Sequence, residues 1–161
     1  MGLLHRMEQA SSPPGTPLHE LSTAILPVMP RSYQVALRPL SYFRQSEEID
    51  TAHVHNLMQA IAREQAWTTP IPVVGDHGIV MDGNHRVRAA LLMGLRYLPC
   101  VPLHYSDPRV AVLHWESGEP FCVDTIHRTI MGNQIFPYKT TKHFFNPILP
   151  TTDIPLSLLR G

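Results

Sequence analysis

Ile79-Val80-Met81-Asp82-Gly83-Asn84-His85-Arg86-Val87-Arg88-Ala89-Ala90-Leu91-Leu92-Met93-Gly94-Leu95 is the stretch that decides how this chain is read. An apolar run leads into Asp-Gly-Asn-His-Arg, and a helical pattern follows that stops at Gly94. The order predicts strand, tight turn and helix, with the polar residues gathered in the turn. A helix N-terminus offers free N–H groups and a partial positive charge, which suits an anion. Arg86 adds a planar fork of donors and His85 a titratable one. On one reading the turn cradles phosphate, with Asp82 at the strand end able to hold Mg²⁺ or orient a hydroxyl. On the other, Asp82 caps the helix and Arg86 pairs with a nearby acid. No Gly-x-x-x-x-Gly-Lys-Ser/Thr occurs, so ordinary Walker chemistry is excluded.

Upstream, Ile71-Pro72-Val73-Val74, the turn Gly75-Asp76-His77-Gly78 and Ile79-Val80-Met81 predict a hairpin. Before it, Asp50 is an N-cap for a helix whose stripe is Val54, Leu57, Met58, Ile61 and Gln65, ended by Trp67-Thr68-Thr69-Pro70. Glu47 and Glu48 precede that helix, where acids complement its dipole; alternatively one of them is a general base. Ser32 to Leu40 alternates as a strand, residues 42–48 form a polar loop, and residues 1–31 are Pro-rich and irregular.

Downstream, Leu98 to Tyr105 predicts a strand whose prolines argue for an edge or an irregular course. Val110 to Trp115 predicts another strand, with Trp115 at its end in the core or at a rim. Phe121 to Met131 predicts a helix stopped by Gly132-Asn133. The last thirty residues are Pro-rich and carry Phe136-Pro137-Tyr138-Lys139-Thr140-Thr141-Lys142-His143. There, two hydroxyls lie between two cations beside an imidazole, a set suited to carboxylate or phosphate, or else a solvated basic loop. The class is α+β, a small mixed sheet with helices packed on it.

The 161 residues suffice for one core. Thirteen basic residues balance thirteen acidic ones, which argues against a dedicated nucleic-acid binder. Ten histidines invite a metal, yet His53 and His55 point in different directions on their helix and no zinc spacing occurs. Cys100 and Cys122 have no metal or redox spacing and are expected to be buried small apolar residues. No segment is apolar enough to span a membrane, and no signal peptide is read, so the expectation is a cytoplasmic protein.

With these residues in place, the chain resembles the free L-serine kinases built on the ParB/sulfiredoxin-like fold. The resemblance covers roughly residues 33–157 and rests on three matches. One is the loop-helix-strand layout from Ser46-Glu47-Glu48-Ile49-Asp50 through Ile71-Pro72-Val73-Val74. Another is Asp82-Gly83-Asn84-His85-Arg86, close to that family's Asp-Gly-x-His-Arg turn. The most specific is Phe136 to His143, similar to the kinases' Pro-Lys-Thr-Thr-Arg-His signature.

The resemblance implies a ParB/sulfiredoxin-like catalytic domain over residues 32–161, with a C-terminal substrate-binding loop. It implies transfer of the terminal phosphate of ATP or ADP to free L-serine, giving O-phospho-L-serine for amino-acid biosynthesis. Glu47 would take the serine proton, and Asp82 would act at the reaction centre with Mg²⁺. Gly83, Asn84, His85 and Arg86 would hold nucleotide phosphates. Trp115, Lys139, Thr140, Thr141, Lys142 and His143 would bind serine or its phosphate. Lys142 stands where the family has Arg, turning a fork into a point charge, and Tyr138 replaces a second Pro. Asn84 stands where sulfiredoxin carries its cysteine, which removes that activity. The alternative is a ParB-like nucleotide-binding regulator, or a DNA-associated module, without kinase activity.

Overall fold

The computed structural model describes residues 32–161. The expectation for residues 1–31 lies outside them. The elements in chain order are β1 (Ala36–Pro39), α1 (Thr51–Glu64), β2 (Ala66–Trp67), β3 (Ile71–Val74) and β4 (Ile79–Val80). Then come α2 (Asn84–Leu92), β5 (Tyr97–Leu103), β6 (Val110–His114), α3 (Val123–Met131), β7 (Thr141–Phe145), β8 (Ile154–Pro155) and α4 (Leu156–Leu159). A 3-10 turn at Leu40–Tyr42 follows β1.

The main sheet runs β1-β5-β3-β4, parallel between β3 and β5 and antiparallel elsewhere; β6 pairs with β7 and β2 with β8. The class expected from the sequence, a small mixed sheet with helices on it, is the one observed.

Both faces of the sheet are covered, so the apolar runs of β3 and β5 carry no polar alternation. On one face Ile71, Val73, Leu98 and Cys100 pack with Val54 and Ile61 of α1, Ala89 and Ala90 of α2, and Leu156 and Leu159 of α4. On the other, Val74, Ile79, Val101 and Leu103 pack with Val112 of β6 and Ile126 and Ile130 of α3. The α1 stripe and its cap are as read: Asp50 accepts the His53 N–H at 3.1 Å. Gln65, at the end of the stripe, is instead the left-handed C-cap, with φ 56°.

Other expectations change as well: the segment expected to end α1 at Trp67 begins with β2 instead. The strand expected from Ser32 forms only from Ala36. The helix expected from Phe121 starts at Val123. Cys122 is exposed, since it stands before the first turn of α3. Most tellingly, β5 is interior despite its prolines. Its pairing with β1 ends at Ala36–Cys100 and its pairing with β3 begins at Ile71–Cys100. Pro99 therefore has a partner on one side and Pro102 on the other, so each missing N–H has an unpaired side to face.

Candidate active site

The two stretches singled out in the sequence, more than fifty residues apart, meet in one cavity of about 320 Å³. Its wall on the sheet side is Met81, Asp82, Gly83, Asn84 and His85; opposite are Trp115, Tyr138, Lys139, Thr141, Lys142 and His143. Glu47, Glu48 and His53 complete the lining. Arg86 and Thr140 are outside it.

The turn is built on Gly83, whose φ of 100° is left-handed and whose missing Cβ would sit 3.0 Å from Ile71 Cδ1. Gly83 is the N-cap of α2, and no side chain caps it, so Asp82 does not have the capping role open to it in the sequence. Asn84 acts as a tie. Its Oδ1 accepts the Ser46 N–H at 2.9 Å, and its Nδ2 donates to Ser46 Oγ at 3.0 Å. Ser46 is buried, and its hydroxyl donates to Val80 O at 2.6 Å. His85 is also committed. Its Nε2 accepts the Asp50 N–H at 3.0 Å, and its ring stacks on His53 at 4.4 Å. Burial first, and then the neighbouring His53, lower the His85 pKa from its ordinary value, against the pull of Asp50 and Asp82.

The opposite wall differs from the expected loop. Thr141 to His143 belong to β7, with His143 paired to Val112 and Lys142 to Leu113. Five mostly polar residues form a strand here because β6 supplies the apolar partner and the hydrogen-bond ladder. Residues 46–48 run beside Phe136, which donates to Ser46 O at 2.9 Å and accepts from the Glu48 N–H at 2.9 Å.

That pairing carries Glu47 to the start of β7. Its Oε1 accepts from Thr141 N at 2.7 Å, Thr141 Oγ1 at 2.8 Å and Thr140 N at 3.2 Å. Oε2 makes no hydrogen bond among the described residues. Thr140's own hydroxyl turns away, donating to Pro137 O at 2.6 Å.

Lys139 and Lys142 flank the half-exposed Trp115, their ammonium groups 5.4 and 5.3 Å from its ring centre. Lys139 takes a left-handed φ of 59°, the sort of backbone strain found where a side chain is aimed. His143 is held by Tyr105, whose hydroxyl lies 2.9 Å from Nε2. Burial pushes the His143 pKa down to about 4, so at neutral pH it offers hydrogen bonds and no charge. Burial, and then the Glu47 charge, raise the Tyr105 hydroxyl above its usual range.

Among the described residues no three His, Cys, Asp or Glu side chains cluster as a metal cage. The exposed Asp82 carboxylate forms no ion pair or hydrogen bond among them. A single open carboxylate fits Mg²⁺, which is held by one or two carboxylates together with substrate phosphates and water. Sequence reasoning missed His53, Tyr105 and Tyr138 as site residues. His53 had a signal: it is three residues after the N-cap, in the first turn of a helix aimed at the cavity.

No family model matches the chain. An ATP-dependent L-serine kinase of Desulfurococcus mucosus is 34% identical over 76 residues, spanning 45% of this chain and 30% of that protein. A ParB-like protein of Sulfolobus acidocaldarius is 25% identical over 84 residues, spanning 52% of this chain and 42% of that protein. The chain thus matches less than half the length of these relatives. In structure, a free serine kinase in complex with AMP covers 84% of this chain and 98% of its own, with a TM-score of 0.72 at 11% identity. The fold is that of the free serine kinases. The same architecture extends to SbnI of Staphylococcus aureus, with a TM-score of 0.66 at 13% identity. Among the described residues, no helix is long and apolar enough to cross a membrane.

Proposed function

We propose that this chain phosphorylates free L-serine, using ATP or ADP, to give O-phospho-L-serine. The observation that carries the reading is the junction at Glu47. A carboxylate with one oxygen fixed by Thr140 and Thr141 shares a cavity with the Asp82–His85 turn and two lysines. Support comes from the L-serine kinase relative and from solved free serine kinases bound to AMP and to ADP. In this reading Glu47 Oε2 takes the proton of the serine hydroxyl. The serine oxygen then bonds to the terminal phosphorus, whose bond to the bridging oxygen breaks.

Lys139 and Lys142 hold the serine carboxylate, and Glu48 answers its ammonium. The Gly83 and Asn84 N–H groups and the His85 ring hold phosphates, with Arg86 outside the first layer of contacts. Mg²⁺ at Asp82 would neutralise phosphate charge. The work of the chain is positioning and charge neutralisation, which supply most of the catalysis in phosphoryl transfer. The cytoplasm, where ATP, ADP and free serine coexist, is the compartment that suits this chemistry.

Incubation with Mg²⁺, L-serine and either nucleotide should yield phosphoserine, read by ³¹P NMR. No product with either nucleotide would sink the proposal. The ParB-like relative favours a second reading, a nucleotide-binding module without turnover. That reading predicts nucleotide or salt-sensitive DNA binding with no phosphoserine, and the zero net charge counts against the DNA branch.

A further inference from the structure

The His53–His85 pair is only half used by the proposed chemistry: His85 holds phosphate there, and His53 has no part. The rings stack 4.4 Å apart with 23° between their planes, and both line the cavity. A backbone amide can only donate, so the His85 nitrogen facing Asp50 N at 3.0 Å must accept. His85 is therefore neutral, with its proton on Nδ1, and adding a second proton would set N–H against N–H. His53 bears no such constraint. Its ring is exposed, and its own backbone N–H, not its ring, is engaged by Asp50.

We infer that His53 is a further nucleotide-phosphate contact, and that it takes a proton from solvent as the phosphates enter while His85 stays a neutral Nδ1–H donor. An entering polyphosphate favours a cation beside it, and the face of neutral His85 stabilises an imidazolium stacked on it. The other groups facing the pair are Asp50 at the start of α1, Asp82 in the turn and Tyr138, whose ring meets His85 at 5.4 Å. Glu48, Lys139 and Lys142 line the rest of the cavity. The acids favour the imidazolium and the lysines oppose it, which leaves the phosphate charge to decide.

This inference rests on the nucleotide half of the proposed function and not on serine turnover. The test is calorimetry of ADP binding to the full chain at several pH values between 6 and 8, each in two buffers of different ionisation enthalpy. Wild type should take up a fraction of a proton that H53Q does not. Its affinity should also rise by up to about tenfold more than that of H53Q as pH falls through one unit. H53K, permanently charged, should bind tightly at pH 8 without the uptake. The titration of the free nucleotide is common to all three proteins.

Equal uptake and parallel pH slopes in wild type and H53Q would overturn the inference. Absence of binding of both ADP and ATP would remove both it and the kinase reading. ADP binding with this proton signature but no phosphoserine would remove the kinase reading alone.

Discussion

The Asp82–Arg86 turn and the Lys139–His143 segment face each other across one cavity but serve it differently. The turn looks like the chemistry-bearing stretch, yet much of its polarity is internal: Asn84 ties Ser46, and His85 ties Asp50. The later segment looks like a surface loop, yet it gives the cavity two cations and fixes Glu47 with its backbone. A run of polar residues thus reveals a site's neighbourhood without revealing which atoms are free to act. Hydrogen bonds formed far along the chain decide that.

The sharpest way to break this contrast is at Glu47. If Thr140 and Thr141 aim a general base, Glu47→Gln keeps an acceptor for them but loses the proton acceptor. Phosphoserine formation should then fall by about a thousandfold, or roughly 4 kcal/mol, with the melting temperature nearly unchanged. A loss under tenfold would return Glu47 to the structural role that its hydrogen bonds alone describe.

Next in size is the acid response of the later segment. His143 titrates near 4 when folded, below its ordinary value of 6.5, because it is buried. The unfolded chain therefore binds a proton first, and stability falls as pH drops from about 6.5 towards 4. At about 1.4 kcal/mol per unit the loss is on the order of 3 kcal/mol. Urea unfolding at pH 7 and pH 4.5 measures it, and His143→Gln should flatten the difference. An equal slope in the variant would assign the acid sensitivity elsewhere.

Asn84→Ala then asks whether the turn is a tie or a phosphate contact. It strands the Ser46 N–H and should cost about 1–3 kcal/mol in unfolding, with ADP affinity lowered by less than that. The reverse ranking would make Asn84 a ligand first. Smallest is Lys142→Arg, which restores the fork of the kinase signature. Within the proposed function it should lower KM for serine by about threefold at most and leave kcat alone. A large change in kcat would place residue 142 at the reacting phosphate instead.

Much of the fold was readable locally. The Asp50 cap, the α1 stripe, the hairpin of β3 and β4 and the turn into α2 depend on neighbours within about ten residues. What escaped the sequence depends on partners farther off. The prolines of β5 argued for an edge because register is invisible in sequence, and the register is what accommodates them. β7 escaped because Thr-Lys-His carries no strand signal without β6 beside it.

The site divides in the same way. The residues gathered round the cavity are largely those named from the sequence. The commitment of Asn84 and His85 and the recruitment of His53 needed the packing of α1 against α2. Cys122 shows a simpler failure, since small and apolar predicted burial and a helix start put it in water.

The bond between Glu47 and Thr141 joins residues 94 positions apart. During synthesis the Asp82–Arg86 turn is made long before the strand that fixes the carboxylate. Until Thr141 arrives, Glu47 is an ordinary hydrated glutamate on an unfinished surface. A chain stalled in between would carry the turn without the contacts that fix Glu47, so within the proposed function any group transfer waits for the fold's last strands.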